Sequence, residues 1–116
     1  MPVKPPTPAV FQILLALAEG ERHGYAIMQA VAAETEHMLS MGPGTLYGAL
    51  KRMLDAGLVE ECGERPDSQI NEERRRYYRI TPDGLRLATQ EARRLEALVL
   101  SARAKSLLGS PSQEAT

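Results

Sequence analysis

The chain of 116 residues has no tryptophan, one phenylalanine and four tyrosines. With so few aromatic rings the interior must be built from Leu, Ala, Val, Met and Ile, which favours packed helices over a sheet sandwich. The single cysteine, Cys62, excludes a disulfide framework and fits a reducing cytoplasm, where a buried inert thiol is a simpler reading than a sensor. The apolar run over residues 9–18 is too short to span a bilayer and carries Gln12, and the proline-rich start before it holds only Lys4, unlike a charged signal-peptide start. A soluble, cytoplasmic protein without membrane contact is expected. Charge of one sign is lacking as well, with a formal net charge of -1. Residues 41–80 hold seven basic and seven acidic groups, so any nucleic-acid binding must rest on local clusters. No nucleophile, base and orienting group occur together, which argues against an enzyme. His23, His37 and Cys62 lack the tight spacing of metal-ligand pairs, so neither a metal nor a cofactor is expected.

What is present is a succession of helices and one hairpin. Prolines 2, 5, 6 and 8 delay the first helix, making residues 1–8 a flexible arm. Ala9–Glu19 is apolar nearly all round and must be covered on more than one side, by the core and by a partner. Phe11 and Leu14 are assigned to the partner side. A polar turn over Glu19–Gly24 leads to a second helix, Gly24 to about Glu36 or His37. Gly42 and Pro43 start a third, with Leu46, Ala49, Leu50, Met53 and Leu54 as its buried stripe and Gly57 as its stop. Residues 58–62 and 74–80 read as two strands around a polar loop, a wing. Thr81, Pro82 and Asp83 then supply a hydroxyl cap, a first-turn proline and an acid at the positive end of a long helix reaching about Leu108. Leu85, Ala88, Ala92, Leu95, Val99 and Ala102 keep the alternating three and four residue spacing of a coiled-coil seam, so this helix is expected to pair with a second copy. The expected fold is mainly α: a winged helix-turn-helix of three helices plus a two-stranded β-wing over residues 9–81, a dimerisation helix over 82–108 and a disordered tail over 109–116.

HGYAI at 23–27, GPGTLYGALKRMLDAGLVE at 42–60 and RRYYRITPDGLRL at 75–87 resemble the successive signatures of PadR-type transcriptional regulators. The resemblance spans about residues 10–105. It implies a winged-helix homodimer, of the short form with one C-terminal helix, that binds double-stranded promoter DNA, usually as a repressor. It makes the helix with Thr45, Tyr47 and Lys51 the major-groove reader and the hairpin before Thr81 the wing. Two departures stand out. Gly42 replaces a frequent serine cap, a modest weakening. The tryptophan with which small multidrug-responsive members stack flat ligands is missing, so that pocket is not carried across.

The DNA-facing set is expected to be Thr45, Tyr47, Gly48, Lys51 and Arg52 on the third helix, where cationic and hydroxyl groups can reach phosphates or base edges and Gly48 permits close approach. Arg74, Arg75 and Arg76 add a wing contact to phosphate or minor groove. The plainer reading makes Lys51 and Arg52 solvated charges, with Asp55 an i, i+4 partner for Lys51. Function is therefore expected to be operator binding by a homodimer at a near-palindromic site, and release by an effector, which no residue identifies, is compatible with it. The alternative is a winged-helix module that binds protein and not DNA.

Overall fold

The computed structural model describes residues 4–35, 41–64 and 76–109, with the Glu64 side chain left aside. In chain order the elements are α1 (Pro8–Ala18), β1 (Arg22–His23), α2 (Gly24–Glu34), α3 (Pro43–Asp55), β2 (Val59–Glu64), β3 (Arg76–Ile80) and α4 (Pro82–Ala104). This is a mainly helical winged helix with a small antiparallel sheet.

Local chemistry explains where each helix begins. Thr7 caps α1 by accepting the Val10 N–H at 3.2 Å, with Pro8 at the first position, where a missing N–H costs nothing. His23 does the same for α2, its Nδ1 accepting the Ala26 N–H at 3.1 Å. That is a role for His23 that metal-ligand spacing does not suggest. Gly42 precedes Pro43 at the start of α3 without a side-chain cap.

The ends of α3 and α4 share one device. After α3, Gly57 takes φ +76°, and the Gly57 and Leu58 N–H groups return to the carbonyls of Leu54 and Met53 at 3.1 and 2.9 Å. After α4, Ser106 takes φ 62°, and the Ser106 and Leu107 N–H groups return to Arg103 and Ala102 at 3.0 and 2.9 Å. A serine thus closes α4 in the conformation usually left to glycine, and the helix stops at Ala104 rather than near Leu108. Likewise α2 ends at Glu34, before the expected Glu36, where the Thr35 hydroxyl turns back to the Val31 carbonyl at 3.0 Å.

The sheet has three strands, not the expected two, in the order β1-β3-β2. The extra strand lies in the supposed turn before α2: Arg22 pairs with Tyr78 and His23 with Tyr77. Arg22 fixes it to α1 by donating from Nε to the Ala16 carbonyl at 2.8 Å. β2 also runs past Cys62 to Glu64, with a register irregularity between Glu61 and Glu64.

All the elements but β1 supply the core. Ile13, Leu14, Leu17, Ile27, Val31, Leu46, Leu50 and Met53 are almost fully buried, joined by Ala49, Val59, Tyr78 and Ala88. The two wing tyrosines separate by strand alternation, Tyr78 inward and Tyr77 half-buried against the edge of the His23 ring at 5.4 Å. Burial pushes the Tyr78 hydroxyl pKa upward, with Glu61 and Tyr47 adding to the effect.

The expected dimer interface needs correction at two positions, one on α1 and one on α4. Leu14 is 0% exposed and Ala88 8% exposed, so both belong to the chain's own core and have no surface left for a partner. The reason is that Gly84, Ala88 and Glu91 form the line by which α4 lies on the domain. Leu95, Leu98 and Ala102 prolong that line at the same spacing of three and four, beyond where the domain can cover it. Leu98 and Val99 are 55% and 42% exposed. Leu85 and Ala92 are exposed on the flank of this line, and Phe11, Leu95 and Ala102 are half-buried. Glu91, 6% exposed, is satisfied by Arg94, whose Nε and Nη2 each donate to its carboxylate at 2.7 Å. Those bonds hold the Glu91 pKa below its ordinary value.

Candidate nucleic-acid interface

Helix α3 packs on the core through Leu46, Ala49, Leu50 and Met53. At 100° per residue the opposite side is the line Gly44, Gly48, Lys51 and Asp55, flanked by Thr45 and Arg52 on one side and by Tyr47 and Leu54 on the other. Thr45, Lys51 and Arg52 are exposed. Neither cation has an ion-pair partner among the described residues, so the Lys51–Asp55 pair of the plainer reading does not form. The Arg52 guanidinium lies back along the helix, 3.7 Å from where a Cβ on Gly48 would stand, and a Cβ on Gly44 would meet nothing within 4 Å. Packing within the chain therefore requires neither glycine, although Gly48, inside the helix, weakens it by roughly 0.5–1 kcal/mol relative to alanine.

Tyr47 is placed differently from its neighbours. It is half-buried against the core, and its hydroxyl sits so close to Gly24 that a Cβ there would collide with it and come within 2.8 Å of the ring carbon Cζ. Tyr47 thus docks α3 onto the first residue of α2. Its side chain belongs to the packed flank rather than to the outward line, and Gly24, which sequence reasoning treated only as a helix start, is the residue that makes room for it.

Elsewhere four cations are ion-paired among the described residues. Arg22 meets Glu19 at 3.4 Å, Arg79 meets Glu60 across the β2–β3 pair at 2.6 Å, Arg94 meets Glu91, and Arg86 bonds Asp83. Arg76 is exposed at the outer end of β3 and has no ion pair among the described residues. Arg74 and Arg75 lie outside the described residues, as do His37 and the tail from Ser110. The position of Lys4 could not be read from the sequence: the arm runs beside the end of α3, and Lys4 and Arg52 line one shallow cleft of about 270 Å³ with Pro5, Val10 and Met53. The prolines carried a signal of an extended segment but none of where it lies.

The sequence pattern of the transcriptional regulator PadR-like family matches residues 13–90. The chain belongs to this family. Among curated relatives it is 35% identical over 103 residues to the transcriptional regulator Rv3488 of Mycobacterium tuberculosis, covering 89% of this chain and 85% of that one. It is 40% identical over 86 residues to an uncharacterized protein of a Streptomyces fradiae transposon, covering 74% of this chain but only 22% of that longer protein. Among solved structures, a transcriptional regulator from Clostridium thermocellum superposes with a TM-score of 0.67 at 28% identity, over 83% of this chain and 87% of that one. Bacillus subtilis PadR, solved in complex with operator DNA, shares the fold at a TM-score of 0.59 and 22% identity, over 70% of this chain and 44% of that one. Membership makes this chain a PadR-like transcriptional regulator. No described helix is long and apolar enough to cross a membrane.

Proposed function

We propose that this PadR-like regulator is a cytoplasmic repressor that binds a near-palindromic operator as a homodimer, with one α3 in each of two successive major grooves. The observation that carries the reading is the open face of α3: Lys51 on its outward line and Arg52 on the flank, both without ion-pair partners among the described residues, set beside two glycines that no internal packing requires. Uncompensated cations on a helix surface bare enough for close approach suit a phosphate-lined groove. Thr45 adds a hydroxyl on the same side. Lys4 beside Arg52, and Arg76 with its sequence neighbours Arg74 and Arg75, extend the cationic contact to the flanking backbone. Tyr47 acts one step back, by seating the reading helix on α2.

In this reading residues 9–81 form the DNA-binding unit and α4 the dimerisation arm. Leu95, Leu98, Val99 and Ala102 meet the same residues of a second copy, with Phe11, Leu85 and Ala92 at the margin. Two-fold symmetry then sets the two readers about one helical turn of DNA apart. The support from relatives is the Bacillus subtilis neighbour bound to its operator.

The test is a fluorescence-anisotropy titration of the full chain against duplex DNA from upstream of its own coding sequence, at several salt concentrations. Binding should weaken steeply with salt, and Lys51→Ala and Arg52→Ala should each weaken it and reduce the logarithmic salt slope by about one. A dimer that ignores duplex DNA, or binds it without salt dependence, would point instead to a protein-binding module.

A further inference from the structure

The last turn of α3 and the first turn of α4 are fastened to each other by three contacts, all of which fall on Gly57 and Leu58. The Thr81 backbone N–H donates to the Leu58 carbonyl at 3.1 Å. The Thr81 hydroxyl donates to the Gly57 carbonyl at 2.6 Å and accepts the Gly84 N–H at 3.0 Å. Gly84 is buried so closely on the Leu58 carbonyl that a Cβ would collide with the oxygen and come within 2.9 Å of Ile80 Cγ1. Gly57 and Leu58 are themselves the residues whose N–H groups close α3. One hydroxyl, through its one proton and one of its lone pairs, therefore ties the end of α3 to the first turn of α4, beside the Thr81 backbone bond and the Gly84 packing.

The joint matters because of the length it governs. With 23 residues α4 is about 35 Å long at 1.5 Å per residue. A tilt of about 10° at its root would move its far end by about 6 Å, nearly two base-pair steps of roughly 3.4 Å. If α4 carries the second subunit and α3 reads the groove, the angle between them fixes how far apart the two readers stand.

We propose that Thr81 is a positioning residue for DNA recognition: by clamping the Gly57 carbonyl to the start of α4 it sets the separation of the two α3 helices, and so the half-site spacing the dimer accepts. The proposal rests on the reading of the chain as a DNA-binding dimer. Gly84 serves the same joint by allowing the approach.

Three variants separate the two bonds. Thr81→Asp keeps an acceptor for the Gly84 N–H but has no proton for the Gly57 carbonyl. Thr81→Val removes both bonds without adding charge, and Thr81→Ser keeps both. In a Cys62→Ser background, spin labels at Lys51→Cys and Arg93→Cys report the distance between α3 and α4 within one subunit, when labelled chain is diluted with unlabelled chain. The wild type and Thr81→Ser should give one narrow distribution, while Thr81→Asp and Thr81→Val should give broadened or shifted ones. Should Thr81→Val not fold, Thr81→Asp alone decides, because it preserves the cap.

A randomised duplex library selected with each full-length protein supplies the second readout. The wild type and Thr81→Ser should enrich one spacing between half-sites. Thr81→Asp should enrich several, and lose about tenfold in affinity for the wild-type spacing. Distributions that coincide for wild type and Thr81→Asp, or an unchanged spacing preference, would overturn the role of Thr81. Failure of the wild type itself to enrich any duplex would remove the DNA reading and the spacing role with it, leaving only the mechanical joint, which the distance measurement judges separately.

Discussion

Replacing Gly48 by alanine should strengthen the protein and weaken its binding. Gly48 sits inside α3, and the nearest atom to an added Cβ is the tip of Arg52 at 3.7 Å, an ordinary contact. Nothing in the fold resists the methyl group, so Gly48→Ala should recover the helical preference of alanine, roughly 0.5–1 kcal/mol. In a domain of this size about 1 kcal/mol corresponds to some 4–8 °C in Tm, so the melting temperature should rise by several degrees. If α3 reads the groove as proposed, the same methyl projects from its outward line, beside Lys51. A loss of about tenfold in operator affinity, or ~1.4 kcal/mol, is expected if the backbone must come close. Thermal unfolding followed by circular dichroism reads the first effect and an anisotropy titration the second. The reasoning is refuted if Tm rises while affinity stays unchanged, because the glycine would then have no use that offsets its cost to the helix. Gly44→Ala, with open space around its Cβ, should behave in the same direction.

The same substitution at Gly84 should have the opposite sign. Its Cβ meets the Leu58 carbonyl and Ile80, so Gly84→Ala should destabilise by about 1–3 kcal/mol in chemical denaturation, and no loss would mean that the helix start can slide. Leu98→Glu combined with Val99→Glu should yield a folded monomer by light scattering, since both side chains are largely exposed within one chain and the core does not use them. A dimer that survives would move the interface elsewhere. For Glu91 the pKa is depressed, so its ion pair contributes stability at pH values above the ordinary glutamate range and loses it as pH falls through the lower folded value. Arg94→Gln should therefore make acid unfolding begin at higher pH than in the wild type, and coinciding acid transitions would show that the pair adds nothing to folding.

Much of this fold is written in local rules. Prolines at first helical positions, a threonine before Pro82 and a glycine after Ala56 mark helix boundaries because they act on the backbone next to them. The parts that escaped depend on contacts between distant residues. Two residues of β1 carry no periodicity, and they become a strand only because Tyr77 and Tyr78 lie beside them. Helical spacing puts Tyr47 at the margin between the packed and open sides, and the absence of a side chain at Gly24, twenty-three positions earlier, decides which side it takes. The seam on α4 was legible as a repeat, but Ala88 is spent on the chain's own core because α4 lies there against α1, while Leu85, Ala92 and Val99 stay open. The end of α4 was misread because serine seldom adopts the conformation that Ser106 has here.

The order of the sheet bears on how such a protein stays dispersed. β3 runs down the middle, hydrogen-bonded on both sides among the described residues. One margin is the two-residue β1, too brief to template another strand, and the other is β2, where exposed Glu60 and Glu61 precede a break in register. Short, charged or irregular margins resist the edge-to-edge stacking by which open sheets aggregate. Polymerisation through the sheet is thereby discouraged even when many copies crowd together.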